Sequence, residues 1–177
     1  MPSPNVSEGQ IGQLTSLIAG YIAEQQKAFQ PKARPIGADE RRPLQSFFPS
    51  DVLDGVRLVR GRAPEPKFYA LLRLMGIGNA PPFADMAGIT FQDVVVHVEP
   101  LNQTLLFHEL VHVVQYKHLG LQGFADAYVR GFLKGGSYEE IPLEKQAYEL
   151  EDRFARHPEA TFSVEEDVQL RIHSKRF

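Results

Sequence analysis

The feature that most constrains the fold of this chain is a helical stretch over residues 102–118 that is apolar around almost its whole circumference. Asn102 is a typical N-cap residue, and Gly120 lies just beyond the expected end of the helix. The apolar positions are Leu105, Leu106, Phe107, Leu110, Val111, Val113 and Val114. A helix that is apolar on all sides is stable only when other elements cover it, so we expect it at the centre of the fold.

The residues that precede this helix predict a long first helix followed by shorter elements. Ser7 and Gln10 have capping-box spacing, and apolar residues then recur at helical intervals to about Phe29. Residues 31–49 are rich in proline and basic side chains and indicate an irregular segment. After it we expect a short helix capped over residues 48–51 and a strand that starts at residues 56–59.

The remaining pattern predicts one more strand and further helices. A short helix is expected over residues 67–75, and a loop rich in glycine and proline follows as far as Gly88. Residues 89–98 are apolar and β-branched and predict a single strand. Beyond the apolar helix, one helix is expected to end at residues 135–136, and another to begin at Pro142 and stop before Pro158. This order indicates an α+β fold dominated by helices.

The composition limits both the stabilisation of such a fold and its partners. The 177 residues include no cysteine, so disulfides and thiolate ligands are excluded, and any metal must be bound by His, Asp or Glu. The net charge of −3 is too balanced for a protein that binds nucleic acid by neutralising phosphates. We find neither a signal peptide nor an apolar run of the roughly 20 residues that cross a bilayer. We therefore expect a cytoplasmic monomer that binds no nucleic acid and no membrane.

Two histidines and a glutamate interrupt the apolar helix with the spacing His-Glu-x-x-His. His108 and His112 are four residues apart, so their imidazoles leave the same face one turn apart and can bind one cation. Zinc suits imidazole and carboxylate ligands, and a site with three ligands leaves one position for water. Glu109 lies beside this pair but is turned too far round to be an easy ligand, so we expect it to act as a general base. Without a metal, such polar groups in an apolar core would cost several kcal/mol.

The residues alone leave the third metal ligand open between two options. His118 has the third-histidine spacing of the metzincin signature, but Gln115 replaces the helix-breaking glycine and no methionine follows Met86. On a continuing helix, His118 is expected to interact with the helix C-terminus instead. The other option is a carboxylate from the helix that begins at Pro142, where Glu144 flanks the core stripe. Any glutamate in a first helical turn is favoured electrostatically, so Glu144 is a weak signal taken alone.

Residues His108 to Tyr116, together with Glu144 to Ala147, resemble a gluzincin-type zinc metallopeptidase. More narrowly, they are similar to small bacterial metallopeptidase domains of unknown function, such as the core domain of extracellular contractile injection systems. A more distant likeness is to the regulatory peptidases that cleave phage-type repressors. The resemblance covers residues 86–152 and implies a small zincin-like domain, with its central His-Glu-x-x-His helix packed on a short sheet. The chain length of 177 residues predicts a single domain over residues 1–177, with an N-terminal helix and irregular segment at residues 1–45 and the zinc-site core at residues 86–157.

By this resemblance His108, His112 and Glu144 are zinc ligands and Glu109 is the catalytic base. The family's acidic residue four positions after the ligand glutamate is replaced here by Tyr148. Orientation of a ligand histidine is then expected from Tyr148 itself or from Glu151. The remaining catalytic candidate is Tyr138, in the loop before the ligand helix, which we expect to stabilise the oxyanion.

These features predict a zinc-dependent hydrolase, specifically a metallopeptidase that cleaves a peptide or protein substrate. The alternative is a zinc-stabilised binding module without catalysis, in which the same ligands form a closed metal site. A metal-free interaction domain, with the apolar helix as simple core, is a third possibility. Zinc binding separates the third possibility from the first two, and the effect of Glu109→Gln on turnover separates those two from each other.

Overall fold

The computed structural model describes residues 6–69, 85–98 and 100–177. Within them the chain is rich in helix and contains a small four-stranded mixed sheet, which confirms the predicted α+β fold. Most of the helix expected over residues 67–75 and most of the loop after it fall on residues 70–84, outside the described residues. No helix in the described ranges combines the length and the apolarity needed to cross a membrane.

The N-terminal part begins with a long helix, α1 (Glu8–Phe29), whose capping box forms as predicted. The Ser7 hydroxyl accepts a hydrogen bond from the Gln10 backbone, and the Gln10 side chain accepts one from the Ser7 backbone. The segment predicted to be irregular contains short elements: a 3₁₀ turn (Gln30–Lys32), strand β1 (Arg34–Pro35) and helix α2 (Ala38–Arg41). The short helix expected next is α3 (Ser50–Gly55).

The sheet has the strand order β1-β2-β4-β3, with β2 (Arg57–Arg60), β3 (Gly88–Phe91) and β4 (Val94–His97). β2 and β4 are parallel, and the other two pairings are antiparallel. The single strand predicted over residues 89–98 is wrong, because the chain reverses at Gln92 and Asp93 to form a hairpin. Gln92 adopts a left-handed conformation (φ 59°) without the glycine or asparagine that usually marks such a turn. Without a recognisable turn residue, the apolar and β-branched residues at positions 89–98 do not distinguish a hairpin from one long strand.

The central helix, α4 (Gln103–Gly135), is broken at Gly120, where φ is 67° and ψ is 171°. A left-handed φ of this kind is readily adopted only by glycine, which explains why the helix interrupts there, as the sequence predicts. We refer to residues 103–119 as the first arm of α4 and to residues 121–135 as its second arm. Asn102 caps the first arm by accepting a hydrogen bond from the Leu105 backbone at 2.8 Å, and the second arm ends at the predicted glycine pair.

Two helices follow α4, and only the first of them was expected. Helix α5 (Pro142–Arg156) begins at the predicted proline. Helix α6 (Val164–His173) was not predicted, although Ser163 caps it by accepting a hydrogen bond from the Glu166 backbone. Its only buried side chains are Val164 and Val168, so its apolar stripe is too short to be recognised from periodicity.

The first arm of α4 lies at the centre of the fold, as expected from its apolar circumference. Residues 106–116 are all buried, and α4 packs against α1, α3, α5, α6 and β3. Side chains alternate between the faces of the sheet, so that Leu58 and Val95 belong to one apolar cluster whereas Val94 and Val96 belong to another.

Candidate metal centre

The first arm of α4 carries three polar side chains in its buried central turns. The exposed fractions of His108, Glu109 and His112 are 6%, 4% and 5%. Helical spacing places the two imidazoles on one face, with their ring centroids 4.9 Å apart. The motif identified in the sequence is therefore buried in the core, where an uncompensated polar group is costly.

The third donor comes from the first turn of α5. Pro142 begins this helix, and two residues later Glu144, which is only 4% exposed, points its carboxylate at both histidines. Its Oε2 lies 3.5 Å from His108 Nε2 and 3.4 Å from His112 Nε2, and the two Nε2 atoms are 3.2 Å apart. We call these three atoms the donor triangle.

The size of the donor triangle is that of a zinc site. Zinc binds imidazole nitrogen and carboxylate oxygen at roughly 2.0–2.2 Å in tetrahedral geometry, which separates two ligand atoms by about 3.3 Å. All three sides of the triangle lie within a few tenths of an ångström of that separation. Among the described residues, His108, His112 and Glu144 form the one group of three such side chains that is compact enough to hold a metal ion.

The outer nitrogens of both imidazoles are fixed by acceptors. His108 Nδ1 donates to the Glu151 carboxylate at 3.0 Å, and His112 Nδ1 donates to Gln115 Oε1 at 2.8 Å. The orientation of the Gln115 amide is set by its own Nε2, which donates to the Leu143 carbonyl and to Gln146 Oε1. Each neutral imidazole therefore carries its hydrogen on Nδ1 and directs the lone pair of Nε2 into the donor triangle.

These tautomers make the donor triangle a site for a cation. When both imidazoles are neutral, two nitrogen lone pairs face each other across 3.2 Å, and Glu144 Oε2 is a buried oxygen without a hydrogen-bond donor among the described residues. Unpaired acceptors packed this closely are unfavourable in a buried environment unless a positive charge lies between them. A divalent metal ion satisfies all three atoms at once, so the donor set fits zinc.

The pKa values of these groups also show that the donor triangle favours a positive charge. Burial opposes protonation of His108, but the carboxylates of Glu144 and Glu151 outweigh it and raise its pKa to about 10. Burial also opposes ionisation of Glu144, but His112 and His108 hold the pKa of its carboxyl below the ordinary value. The site thus favours a negative Glu144 next to positive charge, and a metal ion supplies such charge.

Glu109 is held next to the donor triangle without being part of it. The Thr90 hydroxyl on β3 donates to Glu109 Oε2 at 2.7 Å. Burial raises the pKa of the Glu109 carboxyl, although His108, His112 and the Thr90 hydrogen bond act against the rise. A carboxylate with a raised pKa is better suited to accept and return a proton near neutral pH.

The other carboxylate oxygen of Glu109 lies against the backbone of Gly88 on β3. A Cβ atom built on Gly88 would stand 2.5 Å from Glu109 Oε1 and 3.0 Å from its Cδ. Such a distance forces one of the two groups to move, and the Glu109 carboxylate is the more mobile of them. Position 88 therefore requires glycine for the Glu109 carboxylate to keep its place.

If Glu109 is the base of a zinc-dependent hydrolysis, we expect Gly88→Ala to displace this carboxylate and to lower the turnover about 100-fold, because misplacement by about 1 Å has effects of that order. Zinc affinity should stay unchanged, since the donor triangle does not touch position 88. Gly61→Ala is a matched control, because a Cβ there meets only ordinary contacts of 3.4 Å or more. Equal loss of turnover in both variants would contradict this role of Gly88.

Glu151 is expected to affect zinc affinity without contacting the metal, because it accepts the hydrogen bond from His108 Nδ1. Removing the acceptor in Glu151→Ala frees the imidazole to rotate and lowers its basicity, so we expect zinc affinity to fall roughly 10- to 100-fold. Asp152→Ala, which removes the neighbouring carboxylate paired with Arg156 on the same helix, serves as the control. Zinc competition with a chromophoric chelator measures both variants, and unchanged affinity in Glu151→Ala would rule out this role.

The other residues singled out in the sequence lie at different distances from the donor triangle. His118 Nε2 lies 2.9 Å from Glu165 on α6 and takes no part in the donor triangle. Tyr138 lines the same cavity as Glu109, His112 and Glu144. The Tyr148 ring is 46% exposed and stands 4.6 Å from the His108 ring, centroid to centroid. Of the two residues considered for orienting a ligand histidine, it is Glu151 that hydrogen-bonds one.

Three supporting residues were not identified from the sequence. Thr90 holds Glu109, Gln115 orients His112, and Gln146 connects Gln115 to Asp167 on α6 through hydrogen bonds of 3.1 and 2.7 Å. Both glutamines are fully buried. The sequence could have indicated both glutamines, because the helical pattern places their amides in the core, where a polar group needs a hydrogen-bond partner.

Comparison with known proteins adds no relative to this description. No family model matches the chain, and no curated protein and no solved structure is significantly similar to it.

Proposed function

We propose that this protein is a zinc-dependent hydrolase that cleaves peptide bonds, with His108, His112 and Glu144 as metal ligands and Glu109 as general base. The observation that carries the proposal is the donor triangle, whose three sides have the length expected between ligands of one tetrahedral zinc ion. A carboxylate that is not a ligand lies next to this triangle, where hydrolysis requires a base.

Zinc is the metal that best suits this combination of groups. Two imidazoles and one carboxylate also occur in non-haem iron sites that activate oxygen. Hydrolysis, however, depends on proton transfer by a neighbouring base, and Glu109 provides one. Zinc bound at the donor triangle would supply a Lewis acid that polarises a carbonyl group and lowers the pKa of water.

The side chains around the metal would transfer the proton, hold the base and the ligands in position, and stabilise the oxyanion. Glu109 accepts a proton from the attacking water and passes it to the leaving amine. Thr90 keeps the carboxylate in position for both transfers, and Glu151 and Gln115 hold the two imidazoles. Tyr138, which lines the same cavity, is our candidate to donate a hydrogen bond to the oxyanion.

Two features support a catalytic site over a closed structural zinc site. Structural zinc ions are held by four protein ligands, whereas the described residues supply three here. The cavity beside the site also reaches Glu109, His112 and Glu144, so space for a substrate borders the ligands. A closed site would place protein atoms on all sides of the metal.

The position of β3 supports a peptide as substrate. This strand lies at the edge of the sheet, pairs with no described strand except β4, and packs against α4. Thr90 on β3 directly contacts Glu109. The Thr90 carbonyl on this edge accepts a hydrogen bond from the Tyr116 hydroxyl at 3.4 Å. An extended peptide that pairs with the other backbone groups of the edge would lie across the base and the metal ligands.

A chelation experiment tests the proposal. The protein, purified without a histidine tag and loaded with one equivalent of zinc, is incubated with a peptide mixture, and new termini are identified by mass spectrometry. We expect cleavage that stops on removal of zinc by a chelator and returns when zinc is restored. Zinc bound without any cleavage would favour the structural alternative and contradict the peptidase.

A further inference from the structure

An apolar cavity of about 110 Å³ extends from the candidate metal centre into the space between α1, β3 and the second arm of α4. Its volume is several times the roughly 15 Å³ that one water molecule requires. Most of its wall is aliphatic or aromatic. The side chains that define this wall include Leu14, Ile18, Phe91, Phe124, Tyr128 and Phe132.

Among the described residues that line the cavity, the side chains with a carboxylate or an imidazole are those at the candidate metal centre, whereas the rest of the wall is polar only at threonine and tyrosine hydroxyls. Glu109, His112 and Glu144 all border the cavity, and Thr90 lies beside Glu109. No Lys or Arg side chain is among the described residues that line it. Away from the metal centre, neither an acidic nor a basic side chain would find a charged partner among the described lining residues, so either would lose its hydration against apolar groups.

We propose that this cavity is the specificity pocket of the enzyme and receives a large apolar side chain, such as phenylalanine or leucine, from the residue beside the cleaved bond. This inference rests on the proposed peptidase function, because it takes the metal ligands as the place where the bond is cut. Burial of an apolar side chain next to Glu109 places the adjoining peptide group at the base and the metal ligands.

Helix α1 provides a matched pair of positions with which to test the pocket. Ile18 lines the cavity and is half-buried, so Ile18→Phe adds volume inside it. Its neighbour Leu17 is 43% exposed and is absent from the cavity wall, so Leu17→Phe adds the same aromatic ring outside it. Leu133→Phe, on the second arm of α4, fills the cavity from the opposite helix and replaces Ile18→Phe if that variant does not fold.

The experiment measures peptide binding in the zinc-loaded Glu109→Gln background, which is expected to bind substrate without cutting it. The probes are two acetylated hexapeptide amides with glycine at four positions and either two phenylalanines or two alanines at the centre. We expect the phenylalanine peptide to bind at least about tenfold more tightly by calorimetry, because the pocket buries its side chain. Ile18→Phe should remove most of this difference, and Leu17→Phe should keep it.

Equal affinity for the two peptides, or a difference that survives both Ile18→Phe and Leu133→Phe in folded protein, would overturn the inference. The peptidase proposal fails by a separate result, namely wild-type protein that binds zinc but cleaves no peptide. Because the affinities are measured in a variant without turnover, selective binding would still support the pocket in that event. Cleavage-site sequencing with the active protein gives the complementary readout, in which Ile18→Phe should shift the preference to smaller side chains.

Discussion

Glu109→Gln is expected to lower the turnover of zinc-dependent peptide hydrolysis by about 10²- to 10⁴-fold while zinc remains bound. A general base contributes to the rate by that order, and an amide cannot accept the proton. Glutamine preserves the shape of the side chain and can still accept the hydrogen bond from Thr90, so the fold should tolerate the change. Because Glu109 lies outside the donor triangle, the zinc content and affinity should match those of the wild type.

The control for this prediction is Glu149→Gln, which neutralises an exposed carboxylate on α5 that is paired with Arg171. It should retain both turnover and zinc. Steady-state kinetics on one cleaved peptide, together with metal analysis of each variant, provide the comparison. Turnover that persists in Glu109→Gln would remove Glu109 from the mechanism, and a loss of zinc from that variant would show that it acts as a ligand.

Glu144→Gln is expected to weaken zinc binding by more than about 100-fold. Loss of a residue that merely supports a ligand costs 10- to 100-fold in metal affinity, so loss of a direct ligand should cost at least the upper value. A neutral amide oxygen is a poorer zinc donor than a carboxylate, and His108 and His112 also lose the negative charge that faces them. Competition with a chromophoric chelator measures the change.

His118→Ala is the informative control, because His118 is the alternative third ligand by sequence spacing. Its imidazole pairs with Glu165 and lies outside the donor triangle, so zinc affinity should stay at the wild-type value. If His118→Ala weakens zinc binding and Glu144→Gln does not, the proposed ligand set is wrong. The third ligand would then be His118, as in the metzincin signature.

The parts of this fold that the sequence predicted are those governed by local rules. The capping box at Ser7, the N-cap at Asn102, the break at Gly120 and the start at Pro142 each depend on residues close in the chain. The buried position of the first arm of α4 followed from its apolar circumference. The metal-ligand spacing of His108 and His112 is also local, since it needs only one turn of helix.

The parts that were missed depend on contacts between distant segments or on weak local signals. Nothing near Thr90 indicates that it supports Glu109, nineteen residues away. The hairpin turns at Gln92, which takes a left-handed conformation without any of the usual turn residues. Helix α6 buries only two valines, and its polar link to the metal centre runs through Gln146 and Asp167.

Glu144 lies between these two cases. The sequence offered it as one of two third ligands, and its position in a first helical turn had a sufficient electrostatic explanation. What distinguishes it is the meeting of α5 with the first arm of α4, which brings its carboxylate within 3.5 Å of both histidines. That meeting is a tertiary contact and could not be read from spacing along the chain.

A crystal structure of untagged protein containing one equivalent of zinc tests most directly whether His108, His112 and Glu144 bind the metal. We expect zinc bonded to Nε2 of His108 and His112 at about 2.0–2.1 Å and to the Glu144 carboxylate at about 2.0–2.2 Å, with solvent at the fourth position. Zinc held by a fourth protein side chain, zinc bound elsewhere, or a failure to bind zinc at all would contradict it.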